Sequence, residues 1–178
     1  MVAMICILCR LSKSRLELLE SDPSLLEDVV EERRNMKIPG LLDLGKTWDA
    51  LDILLSDRGK DALLGDAVVA RSGKKMKGAA GFRSARVLDP KRVAEVAAAL
   101  GKLEPEAVKK RYPKLHGREV HGSFGQETAT PDDAKYLREK VAQIQEKEIA
   151  ALGEALKQIV TLYGEAAEND ASMLSVIV

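Results

Sequence analysis

Apolar positions recur along this chain with two periods, and the changes of period mark its elements. Residues 4–11 form a near-continuous apolar run, Met4-Ile5-Cys6-Ile7-Leu8-Cys9-Arg10-Leu11, which predicts a buried strand. Ser12 stands where a short helix needs its cap. Asp22-Pro23 opens a second helix, with Asp as N-cap and Pro at the first helical position. Leu16, Leu18 and Leu19, then Leu25, Leu26, Val29 and Val30, recur at helical spacing in these segments. Ile38-Pro39-Gly40 breaks the chain. Trp48, Leu51, Leu54 and Leu55 then share one face of residues 44–55, an amphipathic helix anchored by the single Trp.

Ala67-Val68-Val69-Ala70 reads as a short strand, and residues 82–88 as another, with a Gly- and Lys-rich loop between them. Asp89-Pro90 is a second N-cap pair. It starts a helix carrying Val93, Val96, Ala97 and Leu100, with Gly101 placed as its C′ residue. Pro105 begins a short helix that stops before Pro113, and residues 116–130 form a polar loop containing Gly117, Gly122 and Gly125. Thr130-Pro131-Asp132-Asp133 predicts the start of a long helix, with Asp132 and Asp133 as capping residues. Its apolar register runs Leu137, Val141, Ile144, Ile149, Leu152, Leu156, Ile159 and Tyr163. Unbroken, it spans about 45 Å at roughly 1.5 Å per residue, far beyond the usual three turns, so a break near Gly153 is expected. Residues 173–178 close the chain as an apolar strand.

Both ends of the sequence are thus apolar strands. Placing them in one small sheet under the helices buries both, which predicts an α+β fold. The sheet is mixed or antiparallel and includes both terminal strands, several helices cover it, and the C-terminal helix is long. At 178 residues the chain fits a single domain, 1–178, burying roughly 70% of its unfolded surface.

Charge adds local detail. Formal net charge is +0, so no global field draws the chain to nucleic acid or anionic lipid. Residues 17–32 hold seven acidic side chains and no basic one, whereas residues 66–89 hold six basic side chains between their two terminal Asp residues. The acidic run fits solvated helix faces and first turns. Aromatic content of 3% leaves the core to aliphatic side chains. The first apolar run is too short to span a bilayer and has no leading basic segment, and no later segment reaches membrane length. A cytoplasmic protein is expected, with no disulfide framework.

Several segments resemble the YfbM-like bacterial family of unknown function. The first strand contains Met4-Ile5, as the family's does. The family's Leu-Asp-Leu-x-Lys-x-Trp-x-x-Leu string is matched by Leu42-Asp43-Leu44-Gly45-Lys46-Thr47-Trp48-Asp49-Ala50-Leu51. Ala85-Arg86-Val87-Leu88-Asp89-Pro90-Lys91-Arg92-Val93 is similar to its Ala-Arg-Tyr-Leu-Thr-Pro-Glu-Glu-Val. Tyr163-Gly164-Glu165-Ala166-Ala167-Glu168 and the final strand match its C-terminal block. The resemblance covers most of the chain and implies an α+β fold with no known activity. The sequence departs from the pattern at Asp52, where the family commonly carries His. It departs again at Ala70-Arg71 and Arg83-Ser84, where Gly-Gly and Gly-Pro are common.

Candidate chemistry is sparse. Cys6 and Cys9 form a C-x-x-C string, yet three residues apart on a strand they face opposite ways with Cα atoms roughly 10 Å apart, too far for a disulfide. His116 and His121 lack the third and fourth ligands of a zinc site, so neither metal nor cofactor is expected. Gly122-Ser123-Phe124-Gly125 is not a nucleophile elbow, and no catalytic residue is assigned. Two basic segments remain. The first, residues 71–83, carries Lys74, Lys75 and Lys77 among glycines, but it lacks the Lys-Ser/Thr pair and following helix of a P-loop. The second, residues 109–118, carries Arg111 and Arg118 around a single Tyr, too few aromatics for a base-stacking nucleic-acid surface.

The leading expectation is a non-enzymatic interaction protein, acting through its helices and segregated charges on a protein partner or as a homodimer. The alternative is a small-ligand, nucleotide or phosphate-binding protein, even a hydrolase. There Lys74, Lys75, Lys77, Arg111 and Arg118 would hold an anionic small molecule, with His121 as base.

Overall fold

The structure, a computed structural model, describes residues 4–32, 39–57, 60–77, 84–118, 120, 122 and 124–178. In chain order the elements are β1 (Cys6–Leu11), α1 (Lys13–Ser21), α2 (Leu25–Glu32), β2 (Leu41–Gly45), α3 (Thr47–Ser56) and α4 (Ala62–Val69). Then come β3 (Lys74–Lys75), β4 (Ser84–Leu88), α5 (Pro90–Leu100), α6 (Ala107–Arg111) with a 3-10 turn (Tyr112–Leu115), α7 (Lys135–Glu168) and β5 (Ser172–Ile177).

The described strands form one sheet in the order β2-β1-β5-β4-β3. Every pairing is antiparallel. The two end strands are neighbours at its centre, with Cys6 opposite Ile177 and Arg10 opposite Met173. All six residues of β5 are buried, so this strand is covered on both faces.

Alternation along β1 sorts the core into two layers. Cys6 and Leu8 join Leu44, Leu88, Met173 and Ile177 in a large cluster with Leu51, Leu54, Val68, Val93, Leu152 and Tyr163 of the helices. Cys9 and Leu11 face the other way. They pack with Leu174, Val176, Leu19 of α1 and Leu26 and Val29 of α2. Helices therefore cover both faces of the sheet. The thiols are free, buried, and in different layers, as the strand geometry required.

Several sequence expectations need correction. Residues 67–70 are not a strand: Asp61 accepts from the Leu64 N–H and launches α4, which buries Leu64, Ala67 and Val68 on one face. Helical burial outweighs the local preference of two Val residues for strand. Residues 41–45 do not lead into the Trp helix but pair with β1, and Gly45 at φ +51 turns the chain into α3. The long helix starts at Lys135, not Thr130. Its N-cap, Ala134, makes no side-chain bond, while Asp133 accepts from Thr130 and closes the preceding turn. It also runs unbroken through Gly153 to Glu168. In addition, Gly101 keeps a right-handed φ of −64 and is no left-handed C′ residue. Ile38, Phe82 and Arg83, on which parts of two other expectations fall, lie outside the described residues.

Candidate functional site

Two aspartates in the interior organise the ground beneath the first basic segment. Asp66 is the only charged residue of α4 and is 0% exposed. Its Oδ1 accepts the Ser72 N–H at 2.8 Å, and its Oδ2 accepts Ser72 Oγ at 2.6 Å and Arg92 Nε at 2.8 Å. Its backbone carbonyl accepts the Tyr163 hydroxyl at 3.2 Å. A buried carboxylate is tolerated only when its lone pairs are filled in this way. Asp52, on α3, accepts both guanidinium nitrogens of Arg71, whose Nη1 also donates to the Gly65 carbonyl. Burial pushes the Asp52 carboxyl up, against the pull of Arg71.

These bonds fix the path of residues 71–75. From the sheet side, Arg86 Nη1 donates to the carbonyls of Arg71 and Gly73 at 3.1 and 2.9 Å. Gly73 passes so close to β4 that a Cβ there would lie 2.7 Å from the Val87 carbonyl, so only glycine fits. β3 then pairs with β4, Lys74 opposite Val87 and Lys75 opposite Arg86. The segment is thus a pinned edge of the sheet, bonded from below by α4 and α5.

Beside it opens a cavity of about 700 Å³ between α1, the start of α5 and β4. Leu16, Val87, Leu88 and Pro90 give it apolar walls, while Lys74 and Arg92 bring donors. A smaller recess of about 210 Å³ shares Glu20 and Lys74 with it and is lined further by Lys75, Met76 and Lys77. The carboxylates at the rim are engaged: Glu20 accepts from Lys74 at 2.8 Å, and Asp89 caps α5 through the Arg92 N–H at 2.8 Å. Lys75 and Lys77 form no ion pair among the described residues.

The second basic segment lies elsewhere. Arg111 Nη1 donates to the Leu54 carbonyl at 3.0 Å, Lys114 pairs with Asp57 at 2.5 Å, and the Arg118 carbonyl accepts from Gln126. Arg111 and Arg118 line neither cavity. The ring of His116 meets Tyr112 edge-on at 5.6 Å. His121 and Ser123 lie outside the described residues. Of the six sequence candidates, the structure gathers Lys74, Lys75 and Lys77.

Sequence reading missed Asp52, Asp66, Ser72 and Arg92. One signal was present: Asp66 interrupts the otherwise uncharged octet Ala62-Leu-Leu-Gly-Asp-Ala-Val-Val69, and a charge in such a stretch is buried only with partners. Among the described residues, no three His, Cys, Asp or Glu side chains are grouped to hold a metal. Both thiols are held protonated by burial, Cys6 pushed up to about 12 and Cys9 to about 11. No helix among the described residues is long and apolar enough to cross a membrane.

An antiparallel five-stranded sheet between two helical layers, with a cleft at one edge, makes this an α+β protein of the kind the terminal strands required. The chain belongs to the family described as a domain of unknown function (DUF1877), whose model matches residues 2–176. It is similar to a solved structure described as a protein of unknown function, YfbM, from Escherichia coli, at 15% identity and a TM-score of 0.68. The likeness covers 98% of this chain and 99% of that one, and at such identity it is a likeness of fold. No curated protein matches the chain. The YfbM-like resemblance read from the residues is therefore confirmed, and neither family nor neighbour carries a stated function.

Proposed function

We propose that this protein is a non-enzymatic interaction domain of the cytosol that offers the first half of α7 to a helix of a partner. One observation carries the reading. Residues 135–151 of α7, about 25 Å of helix, contain no buried residue, whereas the same helix buries Leu152, Leu156, Ile159, Leu162, Tyr163 and Ala166 farther on. Leu137, Val141 and Ile144 continue the apolar face N-terminally at offsets of four and three. Leu137 is 46% exposed, and its neighbour Tyr136, about 100° around the helix, is 70% exposed. Among the described residues, side-chain hydrogen bonds tie the helix to the body only as far as Gln145, through Gln145 Nε2 to the Glu127 carbonyl at 2.8 Å and through Glu148 to Tyr112 and Gly125. An apolar face that outruns its own core fits the helix-in-groove or helix-on-helix mode of recognition.

The charges favour an antiparallel arrangement. Lys135, Arg138 and Lys140 outnumber Glu139 in the first turns, and Glu146, Glu148 and Glu154 outnumber Lys147 in the next. A second copy laid antiparallel sets basic turns beside acidic ones, so a homodimer is one form of the proposed complex. The free, buried thiols accord with a reducing compartment. The test is a comparative pull-down from native lysate with tagged wild type and a Leu137→Asp variant. A stoichiometric partner held by wild type and lost by the variant is expected. Identical capture by both, or none by either at low salt, contradicts the reading.

A second reading, small-ligand binding, is favoured by the cavity beside β3.

A further inference from the structure

We infer that the cleft between α1, β3 and the start of α5 is a binding site for an amphipathic organic anion, a ligand with an apolar body and one acidic group. Its volume of about 700 Å³ falls within the range of small-molecule sites, roughly 300–1,000 Å³, which are apolar-walled with a few placed polar groups. Leu16, Val87, Leu88 and Pro90 supply a wall for the apolar body. The acidic group has two donors at the β3 side, the Arg92 guanidinium and the Lys74 ammonium, since the Ser72 hydroxyl proton is given to Asp66.

The placement of Arg92 is built in. Arg92 is clamped by Asp66, which is itself sealed from solvent, so this donor is held in position before any ligand arrives. Arg92 meets two carboxylates, Asp66 at 2.7 Å and Glu95 at 2.9 Å, so the floor carries no excess positive charge. The excess charge sits at the rim. Lys74 spends its charge on Glu20, and both of these side chains are largely exposed, which makes their pair weak and exchangeable. Lys75 and Lys77 extend the rim into the adjoining recess without partners among the described residues. An anion entering the cleft replaces Glu20 on Lys74 and gains Lys75 and Lys77 as neighbours. Arg92, half-buried and fixed by Asp66, thus positions the acidic group, and the rim lysines attract it. Arg111 and Arg118 have no part in this site.

The experiment uses 8-anilinonaphthalene-1-sulfonate, an aromatic body with one sulfonate, titrated fluorimetrically into the full chain. Saturable, blue-shifted emission at one site per chain is expected, with N-phenyl-1-naphthylamine, the neutral counterpart, binding at least about tenfold more weakly. The double variant Lys74→Glu with Lys75→Glu changes only exposed side chains. It should keep its circular dichroism and lose at least about tenfold in affinity for the sulfonate. Leu137→Asp should leave the binding unchanged, which separates the cleft from the exposed half of α7. Absence of saturable binding, equal binding of the neutral probe, or an affinity untouched by the double variant would overturn the inference.

Discussion

Arg71 grips both carboxylate oxygens of Asp52, with Nη1 2.6 Å from Oδ1 and Nη2 on Oδ2. The contact ties the residue just past α4 to the middle of α3, and through the Gly65 carbonyl to α4 itself. It is lopsided in exposure: the Asp52 side chain is 9% accessible and that of Arg71 49%.

That asymmetry sets the sign of the first prediction. Arg71→Met keeps the aliphatic stem and leaves Asp52 buried without a cation. Breaking a buried pair costs roughly 3–5 kcal/mol, and the solvent around Arg71 reduces this to roughly 1–3 kcal/mol at neutral pH. The Asp52 carboxyl, already raised by burial, rises further above its unfolded value of about 3.9. A raised folded pKa favours the native state below the unfolded value and loses that advantage as pH climbs through the folded one. The loss in Arg71→Met is therefore small near pH 4 and full at pH 7. Urea unfolding at both pH values measures it, and equal losses would contradict the pairing.

The thiols give a second prediction. With Cys6 pushed to about 12 and Cys9 to about 11 by burial, the thiolate fraction at pH 8 is only about 10⁻³ or less. Native protein should leave a disulfide exchange reagent unconsumed over minutes, and two thiols should react once denaturant is added. Prompt labelling of either in the native state would show that its layer of the core is open.

A third concerns the long helix. Gly153 lies inside α7, and a Cβ built on it meets nothing within 4 Å. Gly153→Ala should raise unfolding free energy by about 1 kcal/mol, the helix-propensity difference. A decrease, read by thermal or urea unfolding, would mean that the helix needs a bend there.

How much of this was legible in the sequence follows from the range of the interactions involved. The cysteines were read correctly because a strand's period of two is a local rule. Both terminal strands share the sheet because each is too apolar to lie anywhere else. Residues 67–70 were misread because two β-branched side chains were weighed without the Asp61 cap six residues earlier. The departures at Asp52 and Ala70-Arg71 looked independent in the sequence, yet Arg71 and Asp52 are partners across 19 positions, and Ala70 holds a φ of +50 where glycine sits most easily. Arg92 and Ser72 meet at Asp66 only because α4, α5 and the sheet edge pack together, and no spacing in the chain announces that. The lysines of β3 were visible as a charge run, but their cavity depends on α1 lying across the sheet edge.

The claim that the first half of α7 is a docking face is tested most directly by photo-crosslinking. A benzoylphenylalanine at position 137 stands on the apolar stripe, and one at position 146, nine residues on, stands half a turn away on the opposite face. Irradiation in native lysate should give a discrete adduct from position 137 and none from 146. A mass of two chains assigns a homodimer, and any other discrete mass a different protein. Adducts of equal yield from both positions, or none from either, would contradict the docking face.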